Sequence, residues 1–219
     1  MSSFSTRAVR GTFSRFLCAI AACFAIGQVQ AAVIAQDLGT DAPPATLGGY
    51  TLTPFGDDGI GLFTDITSLA SPLGGSLTFG TAVNAREIGS GWATWSHGYT
   101  GDVYYSNGAF SLAIDLPAGT GAFYLYVEPD PFDLYSFTIT ADDGTSLTNE
   151  AHGDAGARGW GFWATAGEQI ASLLITSSVN FAVGGFGIAS ATASVPEPTT
   201  LALIGAAALA FGVGRRRRA

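Results

Sequence analysis

Three consecutive segments in which apolar and polar residues alternate constrain the fold of this chain more than any other feature. They span residues 110–116, 123–128 and 135–139. In the first, Phe110, Leu112 and Ile114 alternate with small or polar residues, and Pro117 follows. A period of two is typical of a β-strand with one buried face, and Asp142-Asp143-Gly144 after the third segment is a turn sequence. We therefore predict three neighbouring strands of an antiparallel sheet.

Six further short strands are expected from similar segments. They lie at residues 60–63, 76–79, 103–106, 160–164, 171–176 and 181–188. Glycine and proline separate them, and no segment between residues 32 and 194 shows the sustained period of 3.6 that an amphipathic helix requires. Many short strands with such punctuation are typical of a β-sandwich. The predicted fold is all-β, an antiparallel β-sandwich of jelly-roll type over residues 32–194.

The charge of the predicted domain is strongly one-sided. Residues 32–194 hold 16 Asp and Glu against two arginines, Arg86 and Arg158, which is a formal charge of −14. Nucleic acid and anionic lipid surfaces repel a polyanion, so both are excluded as partners of the domain. Both cysteines, Cys18 and Cys23, precede it. The domain therefore has no disulfide, thiolate metal site or cysteine nucleophile.

The first 31 residues follow the three-part plan of a secretory signal peptide. Basic residues precede an apolar segment at 16–27, and small residues permit cleavage between Ala31 and Ala32. A helix of that length rises about 18 Å against a hydrocarbon core of about 30 Å, which disfavours a retained anchor. Lipid attachment at Cys23 is a weaker alternative, because the apolar segment continues beyond that cysteine. The signal implies the Sec export machinery and signal peptidase as partners.

A second apolar segment, residues 199–214, has no charged side chain and is followed by four arginines. It is just long enough to span a membrane when arginine side chains extend to the headgroups. Basic residues stay on the cytoplasmic side. We therefore predict one transmembrane helix that holds the domain outside the cytoplasm. A core helix with a solvated basic end is the alternative.

A short proline motif precedes this helix and, together with the arginines, forms a predicted sorting signal at residues 195–219. Its prolines disfavour helix and present an extended segment. The signal comprises Val195, Pro196, Glu197, Pro198, Arg215, Arg216, Arg217 and Arg218. The order of motif, apolar segment and basic cluster resembles the PEP-CTERM signal of exported proteins in Gram-negative bacteria. The resemblance implies recognition by an exosortase, a membrane-embedded cysteine transpeptidase, and delivery to the cell envelope or extracellular space.

Residues 116–189 also resemble the ectodomains of proteins with such signals. Four segments carry this resemblance: Leu-Pro-Ala-Gly at 116–119, Gly-Trp-Gly-Phe-Trp at 159–163, Gly-Glu-Gln-Ile-Ala-Ser at 167–172 and Phe-Ala-Val-Gly-Gly-Phe at 181–186. It implies a β fold and a role in the extracellular polysaccharide matrix or in adhesion. It implies no enzymatic activity.

Two pairs of tryptophans three residues apart are candidates for carbohydrate contact, Trp92 with Trp95 and Trp160 with Trp163. Positions i and i+3 of a strand face opposite sides, so each pair is expected to send one indole to the core and one to the surface. An exposed indole can stack on the C–H face of a sugar ring. Tyrosines that can assist it are Tyr104, Tyr105, Tyr124 and Tyr126. The alternative is that all these rings fill the core and its rims.

Acidic residues at predicted turns are weak candidates for Ca²⁺, the one metal considered for this chain. They are Asp57, Asp58, Asp130, Asp133, Asp142 and Asp143. Ca²⁺ takes six to eight oxygen ligands, but Asp is also an ordinary turn residue and none of these segments matches an EF-hand loop. No cofactor is therefore expected.

Candidate catalytic residues are few. The two histidines, His97 and His152, are expected to be exposed loop residues, since no Gly-x-Ser-x-Gly or His-Glu-x-x-His motif accompanies them. A glycosidase would need two facing carboxylates, for which the available glutamates are Glu87, Glu128, Glu150 and Glu168. We predict a non-catalytic, envelope-anchored surface protein associated with extracellular polysaccharide. A carbohydrate-binding module that uses exposed Trp and Tyr is the first alternative, and a glycoside hydrolase the second.

Overall fold

The computed structural model describes residues 32–165 and 167–191, and in this part of the chain the regular structure is entirely β. The strands are β1 (Val33–Gly39), β2 (Thr46–Leu47), β3 (Tyr50–Thr51), β4 (Thr53–Pro54), β5 (Asp65–Ala70), β6 (Ser76–Ile88), β7 (Gly91–Trp92), β8 (Asp102–Tyr105), β9 (Ser111–Asp115), β10 (Thr120–Pro129), β11 (Leu134–Ala141), β12 (Ser146–His152), β13 (Arg158–Ala164), β14 (Ser172–Ser177) and β15 (Phe181–Ser190). The predicted all-β class is confirmed.

One large sheet contains every strand except the hairpin β2–β3. Its order is β1-β13-β10-β15-β8-β6-β9-β14-β11-β12, with β4, β5 and β7 paired beside this path. Pairing is antiparallel apart from two residues of β7 beside β6. The two outer strands nearly meet, because Val33 N donates to Asp143 Oδ2 over 2.9 Å in the β11–β12 hairpin. The sheet therefore curls into a nearly closed, barrel-like sandwich; the finer jelly-roll assignment stays a prediction.

The inside of the curled sheet is an apolar core rich in aromatic rings. Phe137 lies at its centre, with its ring edge-on to Phe181 at 5.5 Å and to Trp160 at 6.3 Å between centroids. All three side chains are fully buried. Edge-to-face contacts of this kind add to the burial of aromatic area, so the core is held by packing without any disulfide.

A second apolar cluster covers the outside of the sheet at β10. Phe123, Leu125 and Val127 of this strand point into the core, whereas Tyr124 and Tyr126 point outward yet are also buried. The covering residues come from the β2–β4 region and from the segment after β6, and include Leu47, Leu52, Trp92 and Trp95. The sequence predicted a strand with one buried face, so this second covered face is a correction.

Eight of the nine predicted strands occur, with shifted ends, but residues 60–63 form a loop. Phe63 adopts a φ of 62°, which an extended strand does not accommodate, and its N–H donates to Ala85 O over 2.8 Å. The guanidinium of Arg86 lies 4.9 Å from the Phe63 ring centre. An apolar-looking segment therefore forms a surface loop braced by a cation–π contact.

Both ends of the described chain lie at the same end of the sheet. Ala32 is fixed there by Thr165, whose N–H donates to Ala32 O over 2.9 Å and whose Oγ1 accepts from Ala32 N over 3.1 Å. Ala191 donates to Gly119 O nearby. The strands between them, β1, β13, β10 and β15, are consecutive neighbours, so the two ends are about 14 Å apart at a strand spacing of about 4.8 Å.

Candidate functional site

A cleft of about 610 Å³ opens at the end of the sheet where the two ends of the described chain lie. Its walls come from the β2–β3 hairpin, from the last residues of β13 with the loop that follows, and from the last residues of β15. The lining residues are Gly48, Gly49, Tyr50, Thr51, Trp163, Ala164, Thr165, Gly167, Ala189 and Ser190. Its volume falls within the range of small-molecule sites, about 300–1,000 Å³.

Trp163 supplies the indole in this wall. Trp160 and Trp163 face opposite sides of β13, as predicted, since Trp160 is fully buried in the inner core. Trp163 packs against the outer cluster and is only half-buried. Gly48 makes this position possible, because a Cβ there would lie 2.1 Å from the indole Cδ1 atom. The backbone of the β2–β3 turn thus packs directly on the ring.

Trp92 and Trp95 do not provide the exposed indole that their spacing predicted. Both are more than nine-tenths buried in the outer cluster. The strand alternation on which the prediction depended does not apply, because β7 ends at Trp92 and the chain continues as a loop. Tyr104, Tyr124 and Tyr126 are buried as well, and Tyr105 is half-buried. Of the predicted carbohydrate contacts, the structure leaves Trp163 partly accessible.

Glu128 is a buried carboxyl group beside the outer cluster, and its pKa is raised. It projects from β10 with no accessible surface, accepts a hydrogen bond from Trp92 Nε1 at 2.5 Å and a longer one from Thr94 Oγ1. Burial raises the pKa of Glu128 to about 7, against the opposing effect of these hydrogen bonds. A raised pKa in a cleft indicates an acid catalyst, but this carboxyl group does not reach solvent.

The acidic residues considered for Ca²⁺ accept hydrogen bonds both within their own turns and from distant segments. Asp143 accepts from Val33 N and Thr145 N, and Asp142 accepts from Ala171 N. Asp133 accepts from Leu134 N. Asp130, which accepts from Asn180 Nδ2, lies in a smaller cleft of about 170 Å³ beside Trp92 and Phe132. These contacts engage the carboxylates with protein donors, and the Ca²⁺ assignment stays a prediction.

Asp57, Asp58 and Asp102 form a cluster that the sequence revealed only in part. Their carboxylate oxygens lie within 4.8 Å of one another. Asp57 and Asp58 accept from N–H groups of the following turn, and Asp58 also accepts from the Tyr104 hydroxyl at 2.5 Å. Burial, followed by the nearby carboxylates, raises the pKa of Asp102. Asp102 joins this cluster from a distant strand, and no local sequence signal indicates that.

The histidines differ from each other. His152 is exposed at the end of β12, and its Nδ1 accepts from Asp154 N. His97, predicted as exposed, is half-buried, with its ring centre 4.8 Å from that of Tyr126. Burial lowers the pKa of His97. The two rings do not share a site, and His97 belongs to the packing of the outer cluster.

Comparison with known proteins identifies one segment of the chain. Residues 194–218 match the family model described as the PEP-CTERM protein-sorting motif. This chain carries a PEP-CTERM sorting motif. No curated protein matches the chain. The PEP-CTERM motif marks an exported protein that an exosortase sorts, so the predicted family resemblance is confirmed.

The match includes every residue of the predicted sorting signal, from Val195 to the basic cluster at 215–218. These residues, the predicted helix at 199–214 and the signal peptide at 1–31 lie outside the described part of the structure. In the described part, no helix is sufficiently long and apolar to span a bilayer. Cleavage between Ala31 and Ala32 stays a prediction.

Proposed function

We propose that this protein is a non-catalytic surface protein that reaches the cell envelope through its PEP-CTERM motif and associates there with extracellular polysaccharide. The observation that carries the proposal is the sorting motif at residues 194–218, which comes after β15 in the sequence. In this proposal the signal peptide is removed after Ala31, residues 199–214 hold the precursor in the inner membrane, and the exosortase then acts near the Pro-Glu-Pro element.

The architecture of the domain supports a non-catalytic role. Glu128, the glutamate with the raised pKa, is fully buried. Hydrolysis of a glycosidic bond needs two carboxyl groups that face the substrate about 5–10 Å apart. The described lining of the large cleft includes no carboxylate at all, so this cleft fits binding better than cleavage.

Processing is tested by mass spectrometry of the protein isolated from its native envelope. The expected amino terminus is Ala32, and the expected carboxyl terminus lies near residues 196–198. Replacing Pro196 and Glu197 with Ala should leave an unprocessed precursor in the membrane. Normal processing of that variant, or a mature protein that retains Arg218, would contradict the proposal.

Association with polysaccharide is tested separately by fractionation. The processed protein should be recovered with the purified extracellular matrix and be released when the polysaccharide is digested. Recovery solely in the polysaccharide-free medium would contradict this part of the proposal while leaving exosortase sorting intact. A carbohydrate-binding module is the second candidate, and the half-buried indole of Trp163 in the cleft favours it.

A further inference from the structure

The cleft at Trp163 combines features that suit one class of ligand, and this inference rests on the proposed association with polysaccharide. Of the four tryptophans, Trp163 is the one that is not buried. The half-buried indole therefore offers apolar surface to the cleft, which is the property that the C–H face of a sugar ring uses.

Trp163 is also held rigidly. The β2–β3 turn places Gly48 against the indole, so close that any side chain at this position would overlap the ring. Tyr50, which follows this turn, donates its hydroxyl to Ala164 O over 3.0 Å, and Ala164 is next to Trp163. Because its surroundings already fix the indole ring, the Trp163 side chain loses little conformational entropy when a ligand binds.

The polar groups of the cleft are hydroxyls and backbone amides. Thr51 and Ser190 are exposed at its rim, and three glycines, Gly48, Gly49 and Gly167, leave backbone N–H and C=O groups accessible beside it. Hydroxyl and peptide groups both donate and accept. They match the hydroxyls of a saccharide, which also do both.

The absence of charge in the described lining narrows the ligand further. Residues 32–194 carry a formal charge of −14, yet no Asp, Glu, Arg or His belongs to the described lining. An acidic sugar would meet the negative field of the domain without a cation to pair with it, and a cationic ligand would find no carboxylate in contact. A neutral saccharide neither is repelled by the negative field nor needs a charged partner in the cleft.

We propose that the Trp163 cleft binds a neutral saccharide unit of the extracellular matrix, with a pyranose ring stacked on the indole. The ring C–H face contacts Trp163, and its hydroxyls bond to Thr51, Ser190 and the glycine backbone. Since no acid or base belongs to the described lining, the proposal is binding of the sugar without hydrolysis.

The test uses the full-length chain in a zwitterionic detergent, because detergents with sugar headgroups would compete for the cleft. Neutral glucan, mannan and galactan hexasaccharides and acidic alginate and polygalacturonate oligosaccharides are the probes on an array, followed by calorimetry. At least one neutral probe should bind. Trp163→Ala should weaken that binding about tenfold, the equivalent of about 1.4 kcal/mol, which matches one good aromatic contact.

Two further variants make the result decisive. Thr51→Arg changes an exposed rim residue, so it should fold normally and still weaken binding at least tenfold by filling the cleft. Phe132→Ala removes an exposed aromatic side chain at a different cleft and should leave binding unchanged. Binding of acidic probes only, absence of binding to all neutral probes, or unchanged binding in the Thr51 variant would overturn the proposal.

Failure of the saccharide site at Trp163 can be distinguished from failure of the proposed association with polysaccharide. If wild-type protein and the Trp163→Ala variant associate equally with the matrix, the cleft assignment is wrong and the proposed function stands. If wild-type protein does not associate with the matrix, the proposed function itself fails, whatever the arrays show. Loss of matrix association in both the Trp163→Ala and Thr51→Arg variants, with normal processing, would support both.

Discussion

Trp92 Nε1 and Glu128 Oε2 are 2.5 Å apart, and this hydrogen bond joins β7 to the carboxyl-terminal end of β10. Thr94 Oγ1 donates to the other carboxyl oxygen, and its own oxygen accepts from Ala155 N over 2.9 Å. The buried carboxyl group thus connects three separate parts of the outer cluster. Its protonation should influence how firmly they are held together.

We expect the contribution of Glu128 to the stability of the folded protein to fall as pH rises from about 4.5 through 7. Burial raises its pKa in the folded state to about 7 from an ordinary 4.5. The folded state therefore holds a proton that the unfolded state has released, and the stabilisation present below pH 4.5 is lost as pH rises through 7. The expected size is about 3 kcal/mol.

Glu128→Gln should remove most of this pH dependence, since the amide keeps an acceptor for Trp92 and carries no charge. Urea unfolding of both proteins between pH 4.5 and 8 measures the difference and cancels the contributions of other groups. Glu150→Gln, at an exposed position of β12, is the matched control and should leave the slope unchanged. Parallel curves for wild type and the Glu128 variant would show that Glu128 is ionised in the fold.

Alanine substitutions at Gly48 and Gly49 distinguish the cost of backbone strain from the cost of steric overlap. Gly48 and Gly49 both have positive φ, 57° and 87°, but a Cβ at Gly49 would meet no atom within 4 Å. Alanine at either position must adopt the left-handed conformation, which should lower the free energy of unfolding by about 1–3 kcal/mol. Gly48→Ala should cost about 2 kcal/mol more, through overlap with Trp163. Thermal unfolding measures both, and equal losses would mean that the indole moves aside freely.

Trp160 should be the most sensitive tryptophan for stability. Its side chain is fully buried in the inner core, and Trp160→Ala should cost about 3–5 kcal/mol. Phe132 is 64% exposed, so Phe132→Ala should change stability by less than about 0.5 kcal/mol. Chemical denaturation of the two variants checks the contrast. A small loss at Trp160 would contradict the assigned core.

The ion pair between Asp37 and Arg158 should contribute little to the free energy of unfolding. Their side chains are 37% and 29% exposed, and pairs of this kind add less than about 1 kcal/mol. The hydrogen bond from Arg158 lowers the pKa of Asp37, so its contribution is present above pH 3.8 and is lost as pH falls. A double-mutant cycle of Asp37→Asn and Arg158→Gln, at low and high salt, measures it. A coupling above about 2 kcal/mol would indicate a less solvated pair.

Strands with strong alternation could be predicted from the sequence, and strands stabilised mainly by their neighbours could not. Leu112 and Ile114 of β9 point inward as their spacing indicates. Strand β12 is Ser-Leu-Thr-Asn-Glu-Ala-His and was not predicted. It forms because β11 pairs with it along its full length, while Leu147 and Ala151 pack on the core. Stabilisation by pairing with a neighbouring strand cannot be predicted from the residue types of the strand itself.

The candidate site was predictable only at Trp163. Alternation along β13 correctly placed Trp160 and Trp163 on opposite faces, because β13 is a regular strand. The same argument failed for Trp92 and Trp95, since the chain leaves the sheet between them. Tyr50 and Thr51 were missed, although the Gly48-Gly49 doublet before them is a turn signal. Their approach to Trp163 depends on contacts between residues more than 100 positions apart.

The positions of Ala32 and Ala191 have a consequence for how the protein matures. Proteolytic trimming before Ala32 and after Ala191 would expose both new termini at one pole of the domain. Both proposed cuts would lie outside strands β1–β15, so neither would remove a strand of the described sheet. The opposite pole, where Asn180 binds Asp130, carries neither terminus of the described chain.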